Sequence, residues 1–319
     1  IYNNYDEMIT DSSFSMKESV PGVYFQYTYS MPDKLTVITG IRADFHNEFG
    51  AFFTPRMHVR YTLNPNTIIR VAAGKGYRTP NVIAENISFL ASSRDIKPLE
   101  KLQQEEAWNY GMHLTQYVNL LGKQMTISAD FYRTNFVNQV IFDIDSDVSQ
   151  IRLYNLDGKS YSNSAQLEIN YELLKRLDMV AAFRLTDVKT TYEGDLLRKP
   201  LISKYKGLVT LSYATYRNLW QFDFTSQFNG GGRLPKTIGN PPEYQLEETF
   251  PAYTILNAQI TRYLKKWSIY LGGENLLGYR QRHPIVAAND PFGNYFDASM
   301  VWGPIMGAKI HIGLRFAIE

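Results

Sequence analysis

Residues 220–228 read Trp-Gln-Phe-Asp-Phe-Thr-Ser-Gln-Phe. Trp220, Phe222, Phe224 and Phe228 fall on one face at period two. Gln221, Asp223, Thr225 and Gln227 fall on the other, which is the alternation of a β-strand. Two architectures can carry it. In a water-soluble protein the aromatic row is core. In a membrane barrel that row faces lipid and the polar row lines the lumen. The rest of the chain chooses between them.

Similar segments recur along the 319 residues with little helix between them. The pattern predicts thirteen strands, near 15–30, 34–49, 53–63, 67–77, 104–118, 123–143, 150–173, 177–192, 203–215, 218–232, 252–264, 266–279 and 306–318. Many exceed ten residues, against about five or six in ordinary globular strands. A tilted strand crossing a membrane needs about 9–11. The connections alternate in length. Met31-Pro-Asp33, Asn64-Pro-Asn66, Leu120-Leu-Gly122, Leu174-Lys-Arg176, Arg217-Asn218 and Lys265-Lys266 are short. Segments 78–103, 193–202, 233–251 and 280–305 are long. Gly50-Ala-Phe52 reads as one tight turn on the long-loop side. Short turns at one end and long loops at the other are the habit of an up-and-down membrane barrel.

Both faces persist beyond the opening stretch. Leu167, Ile169, Tyr171 and Leu173 oppose Gln166, Glu168, Asn170 and Glu172. Met125, Ile127, Ala129 and Phe131 oppose Thr126, Ser128, Asp130 and Tyr132, and Met57, Val59 and Tyr61 oppose Arg56, His58 and Arg60. Aromatic residues reach 14%, with 23 Tyr and 18 Phe, as strands with interfacial girdles require. Mean hydropathy is −0.29, and no apolar run approaches the roughly 18 residues of a spanning helix. Barrels escape that test because polar residues dilute the apolar ones one to one. The aromatic row of 220–228 is therefore read as lipid-facing.

Composition closes other routes. Cysteine is absent, which removes disulfides, thiolate metal sites and a cysteine nucleophile. A net charge of +2 offers no basic tail for nucleic acid. No spacing of a hydrolase triad, paired carboxylates or a metal hydrolase stands out, so no catalytic, metal or cofactor site is expected. The chain opens at Ile1 without a visible leader.

Four stretches resemble the C-terminal barrel of the TonB-dependent outer-membrane receptors, particularly the Bacteroidetes type, and they occur in the family's order. They are Val71-Ala-Ala-Gly-Lys-Gly-Tyr-Arg-Thr-Pro-Asn81, Glu105-Glu-Ala-Trp-Asn-Tyr-Gly111, Phe131-Tyr-Arg-Thr-Asn-Phe-Val-Asn-Gln-Val140 and Gly272-Gly-Glu-Asn-Leu276. In the last, Leu277-Gly278 replace the usual Phe-Asp pair. The final strand, with His311, Gly313, Phe316 and Ile318, resembles the terminal segment read by the barrel assembly machinery, except that Ile stands for the closing aromatic and Glu319 trails.

The resemblance implies an all-β, transmembrane, up-and-down antiparallel barrel in the Gram-negative outer membrane. Residues 1–319 would form the C-terminal portion, about thirteen strands of 22. A plug, a TonB box and further strands belong to the family but are not expected within this sequence. It implies energised import of a scarce ligand such as a ferric chelate, haem or cobalamin. The implied partners are the TonB–ExbB–ExbD complex, outer-membrane lipid, the assembly machinery and, in one branch, a surface lipoprotein serving carbohydrate or peptide import. A passive diffusion porin is the main alternative.

Ligand-contact candidates are Tyr77, Arg78, Asn81 and Glu85 at the opening of a long loop, the lumen-facing His58 and His113, and the loop residue His283. Loop packing for the first group, and hydrogen bonding to plug or water for the histidines, are the competing readings. Gly74-Lys-Gly76 ends a strand and lacks the pattern of a phosphate loop. Asp143, Asp145 and Asp147 alternate like a calcium loop. They lack its Gly and closing Glu, and are expected as solvated acids.

Overall fold

The computed structural model describes residues 2–9, 12–82 and 84–317. Ile318, one of the assembly-segment residues, lies outside them. Thirteen strands form the continuous path of one large sheet, and a short fourteenth, Asp195–Arg198, pairs with the end of Leu177–Tyr192. The first four are β1 (Gly22–Met31), β2 (Leu35–His46), β3 (Gly50–Asn64) and β4 (Thr67–Arg78). Then come β5 (Glu105–Leu120), β6 (Lys123–Asn138), β7 (Ser160–Leu174) and β8 (Leu177–Tyr192). The rest are β9 (Tyr205–Ala214), β10 (Trp220–Asn229), β11 (Tyr253–Tyr263), β12 (Trp267–Glu274) and β13 (Lys309–Phe316). Each pairs antiparallel with its neighbour in sequence, so the chain meanders from β1 to β13 without a crossover. A separate hairpin, Tyr2–Ile9 with Ser12–Ser19, precedes β1.

The short turns owe their tightness to left-handed backbone. Leu121 and Gly122 both take positive φ, 51° and 77°, as a two-residue hairpin turn needs. Arg217 and Asn218 do the same at 61° and 52°.

The faces are as read. Phe222 and Phe224 pair across to Ile260 and Ala258 on one side and to Tyr213 and Leu211 on the other, a continuous apolar surface. That surface is open: Phe222 is 40% and Phe183 47% exposed. The polar face is covered over much of the sheet, with Thr115 at 7% and Thr261 at 5%, and opens toward β1, where Arg56 and His58 are exposed. A water-soluble sheet shows the reverse, since burying apolar side chains drives its folding. On the polar face some strands approach closely where a glycine faces an aromatic ring. Tyr270 lies across Gly313, where a Cβ would fall 2.0 Å from the ring. Cross-strand covering of glycine by an aromatic ring fixes register.

The conventional hydrophobic core lies in the long loops. Ile144, Ile151, Val286, Ala287 and Met300 bury one another, packed by Phe89, Ile96, Leu201, Tyr244 and Leu246. Five of the long-end connections contribute, so the loops form one packed body above the wall.

Three sequence expectations need correction here. Residues 140–143 and 150–155 leave the wall rather than extending its strands. Val140–Asp143 pairs with Gln150–Asn155, which runs parallel to Asp95–Pro98 from another loop. The Asp143 carboxylate accepts N–H bonds from Asp145 at 2.8 Å and Ser146 at 3.0 Å, turning the chain there. Asp143 and Asp145 are accordingly buried, not solvated. The tight outer turn sits at residues 47–49, because His46 pairs directly with Gly50. Its ring Nδ1 accepts the Glu48 N–H at 3.0 Å, and Gly50 supplies φ of 84°.

Candidate functional site

Three of the four motif stretches meet at one buried carboxylate. The β4–β5 register sets Arg78 opposite Glu105. Arg78 donates from Nε to Glu105 Oε2 at 2.6 Å and from a terminal nitrogen to the same oxygen. Glu105 Oε1 accepts the Val140 N–H at 3.0 Å, the last residue of the third stretch. Arg78 also holds Glu85 at 2.8 Å. Asn81 Oδ1 accepts the Ala84 N–H at 3.1 Å. Arg78, Asn81, Glu85 and Glu105 thus come together and fix the start of loop 79–104 to the rim of the wall. Tyr77 does not join them. It lies opposite Glu106, its ring 4.5 Å from Phe52, with Lys75 Nζ 4.9 Å from its centre.

The fourth stretch anchors a different loop. Asn275 takes φ of 48°, which Asn tolerates better than most residues. Its amide nitrogen donates to Tyr279 O at 2.8 Å and Met306 O at 3.0 Å, and its oxygen accepts the Tyr279 N–H at 3.1 Å. Further along, Gln281 donates to Met300 O at 2.8 Å and accepts from the Trp302 and Gly303 N–H groups at 2.9 and 3.1 Å. Two buried amides therefore hold both arms of loop 275–308.

Between this loop and loop 230–252 lies a cavity of about 950 Å³. Tyr244, Tyr279 and Trp302 supply aromatic surface, and Arg280, Arg282 and His283 supply cationic or donor groups. Burial holds the Tyr279 phenol above its ordinary range. The walls are stiff. Tyr253 stacks on Tyr279 at 4.8 Å and Trp302 on Phe250 at 4.9 Å.

Buried ion pairs lock the loop body to itself. Arg94 meets Asp297 at 3.0 Å, with both side chains about 5% exposed or less. Arg233 grips Asp145 bidentately, 2.7 Å at each oxygen, and Asp145 also accepts the Lys236 N–H at 2.9 Å. Tyr154 donates to Asp143 at 2.9 Å, and burial followed by that carboxylate pushes its phenol upward. Sequence reasoning misses Arg94, Asp145, Arg233 and Gln281, because each finds its partner from 19 to 203 residues away.

On the polar wall, His58 and His113 line one hollow of about 400 Å³ with Arg60, Arg70 and Tyr132. His113 Nδ1 lies 2.6 Å from Asp130 and Nε2 lies 2.8 Å from Thr115 Oγ1, so both ring nitrogens are engaged. His283 is distant from both, in the loop cavity. Among the described residues no three His, Asp or Glu side chains are grouped to hold a metal. His311, Gly313 and Phe316 lie on β13, His311 and Gly313 on the polar face.

A meander of long strands, inverted faces, one set of short turns and a packed body of long loops is the geometry of an outer-membrane barrel wall. The family model for the β-barrel of TonB-dependent receptor-like proteins matches residues 1–276. The chain belongs to the TonB-dependent receptor β-barrel family. Its solved relatives include the ferric enterobactin receptor PfeA of Pseudomonas aeruginosa, at 14% identity and TM-score 0.72 over 96% of this chain and 46% of that one. The siderophore receptor PirA of Acinetobacter baumannii matches at 13% identity and TM-score 0.67, over 95% and 46%. FpvAI, solved with pyocin S2, matches at 12% and 0.67, over 96% and 38%. This receptor chain spans less than half the length of these structures. No curated protein sequence matches it. These relatives are receptors and transporters of the outer membrane, and this receptor barrel is an integral outer-membrane protein.

Proposed function

We propose that residues 1–319 are the C-terminal wall and outer loops of an energised importer for a scarce, anionic, partly aromatic ligand of the ferric-chelate kind. The observation that carries this reading is the cavity between loops 230–252 and 275–308. Its combination of Tyr244, Tyr279 and Trp302 with Arg280, Arg282 and His283 suits a flat anionic solute, through ring stacking and charge-assisted hydrogen bonds. The fold relatives described as ferric enterobactin and siderophore receptors support the same class, and haem, a flat aromatic dicarboxylate, falls within it, whereas bulky, uncharged cobalamin suits this lining less.

In this reading the loops capture the ligand, with Arg78, Asn81 and Glu85 setting the loop that closes beside the cavity. Segments beyond these residues supply the plug and the contact with TonB–ExbB–ExbD. Energised displacement of the plug then opens a path along the polar wall, past His58 and His113. The assembly machinery would read β13, and a surface lipoprotein could cover the loops in the carbohydrate or peptide branch.

The test is accumulation of labelled ferric chelates in cells carrying the complete gene. Uptake is expected to need both the proton-motive force and TonB, while binding needs neither. Exchange of Arg280 and Arg282 for Gln should weaken binding without affecting insertion. Accumulation that survives an uncoupler and a TonB deletion would make the protein a passive pore.

A further inference from the structure

The outward-facing row carries arginines toward its margins: Arg133, over the Tyr161 ring toward the long-loop end, and Arg262 at the short-turn end. Arg262, near the end of β11, pairs with Trp220 on β10 and Ile269 on β12, so it belongs to the lipid-facing row. Its guanidinium lies 4.8 Å from the Trp220 ring centre. An arginine at the bilayer midplane costs about 2–4 kcal/mol, but near the interface the cost falls to about 0–1. Arg262 is one residue from the strand end, which places it at headgroup level.

It is not isolated. The short turns after β7, β9 and β11 run side by side: Ala214 donates to Arg176 O, and Tyr263 donates to Leu219 O. They carry Lys175, Arg176, Arg217, Lys265 and Lys266 and no acid between residues 174–177, 214–220 or 263–267. Arg176 and Arg217 both lie on the exposed Tyr216 ring, at 5.0 and 5.4 Å. Among the described residues no carboxylate forms an ion pair with Arg176, Arg217, Arg262, Lys265 or Lys266. Elsewhere in this molecule arginines such as Arg94 and Arg233 are paired with acids. Cations at the short-turn rim, oriented by aromatic rings and without an ion-pair partner among the described residues, present donors to an anion at headgroup level.

We propose that Arg262, Arg217 and Arg176, with Trp220 and Tyr216, form a binding site for the phosphate headgroup of anionic phospholipid at the short-turn end of the barrel. The guanidinium groups offer forked donors to phosphate oxygens. The aromatic rings hold them at the depth where headgroups lie. The inference rests on the membrane-facing row and not on the transported ligand.

The test uses the complete receptor in phosphatidylcholine vesicles doped with phosphatidylglycerol. Quenching by brominated lipid is read as the difference between wild type and Trp220→Phe. Brominated phosphatidylglycerol should outcompete brominated phosphatidylcholine at Trp220. That preference should fall about fivefold for each arginine removed, as in Arg262→Gln or Arg217→Gln. Arg262→Lys should keep most of it. Where Arg262→Gln does not insert, Arg217→Gln on the exposed turn carries the same test. Equal quenching by the two lipids overturns the proposal. So does a preference that survives Arg262→Gln combined with Arg217→Gln. Loss of the preference on adding inorganic phosphate would assign the site to the free ion and overturn the lipid reading.

Discussion

Arg78 and Glu105, 27 residues apart in sequence, close loop 79–104 at its base through two N–H···O bonds to one carboxylate oxygen. The other oxygen of Glu105 holds the backbone of Val140, so one side chain ties β4, β5 and the chain leaving β6. Glu105 is buried, whereas the Arg78 side chain is 57% exposed, so much of the pair's Coulomb energy is screened by water. The larger cost of losing Glu105 is an orphaned Val140 N–H, about 1–3 kcal/mol. Glu105→Ala should open loops 79–104 and 139–159 to limited proteolysis together, while Arg78→Ala loosens mainly the first. Equal effects on both loops from the two variants would contradict this division.

The wall makes a sharper demand. Phe224 sits mid-strand on the open apolar face, and Gln221 sits on the covered polar face beside Asp223. Phe224→Arg should cost about 2–4 kcal/mol of insertion energy. Gln221→Arg should be tolerated, since Asp223 offers it a partner. Heat-modifiable mobility on gels after expression of the complete gene reads both. Equal tolerance would reverse the faces.

Most of the wall was legible in the sequence, and the loop body was not, for one physical reason. A strand with lipid on one side and water on the other writes its environment at period two, residue by residue, as 220–228 does. The loop body has no period. Asp143 and Asp145 look like solvated acids because what buries them, Tyr154, Arg233 and the Lys236 backbone, arrives from other segments. Residues 150–155 alternate like a wall strand, and only their pairing with Val140–Asp143 and Asp95–Pro98 takes them out of it. Arg78 and Glu85 were recognisable by motif. The cavity residues Tyr244 and Trp302 carry no local mark that sets them apart from the many other aromatics. The run Tyr279-Arg-Gln-Arg-His283 did hold a clue, since two arginines and a histidine cluster in a long loop.

Strong acid should loosen one corner of the loop body. The Asp147 carboxylate lies below its usual range, chiefly because the Ser149 hydroxyl and N–H donate to it at 2.7 and 2.8 Å, with Arg152 adding its charge at 3.2 Å. A carboxylate depressed in the folded state stabilises fully above the unfolded value, about 3.9. That contribution disappears as pH falls through the lower folded value. Hydrogen exchange at residues 148–152 should therefore differ between wild type and Asp147→Asn at pH 6 and converge in strong acid. A difference that persists at both extremes would mean the side chain acts by shape and not by charge.

Arg233 and Asp145 test whether the loop body is a separable unit. Asp145 is almost fully buried and accepts three bonds: two from Arg233 and one from the Lys236 N–H. Removing one partner of such a pair strands the other, at about 3–5 kcal/mol. The Arg233–Asp145 pair itself contributes nothing to the thirteen-strand meander, whose strands pair with one another. Arg233→Ala should therefore release loops 139–159 and 230–252 to protease and abolish ligand capture. The barrel should still insert and keep its heat-modifiable mobility. Because Arg233 Nε also donates to Arg198 O at 2.5 Å, loop 193–204 should loosen in the same variant. Asp145→Asn keeps the shape and one acceptor oxygen, so its effect should be smaller and should spare loop 193–204. Failure of Arg233→Ala to insert at all would show that loops and wall fold as one, and the separability inferred from the pairing would be lost.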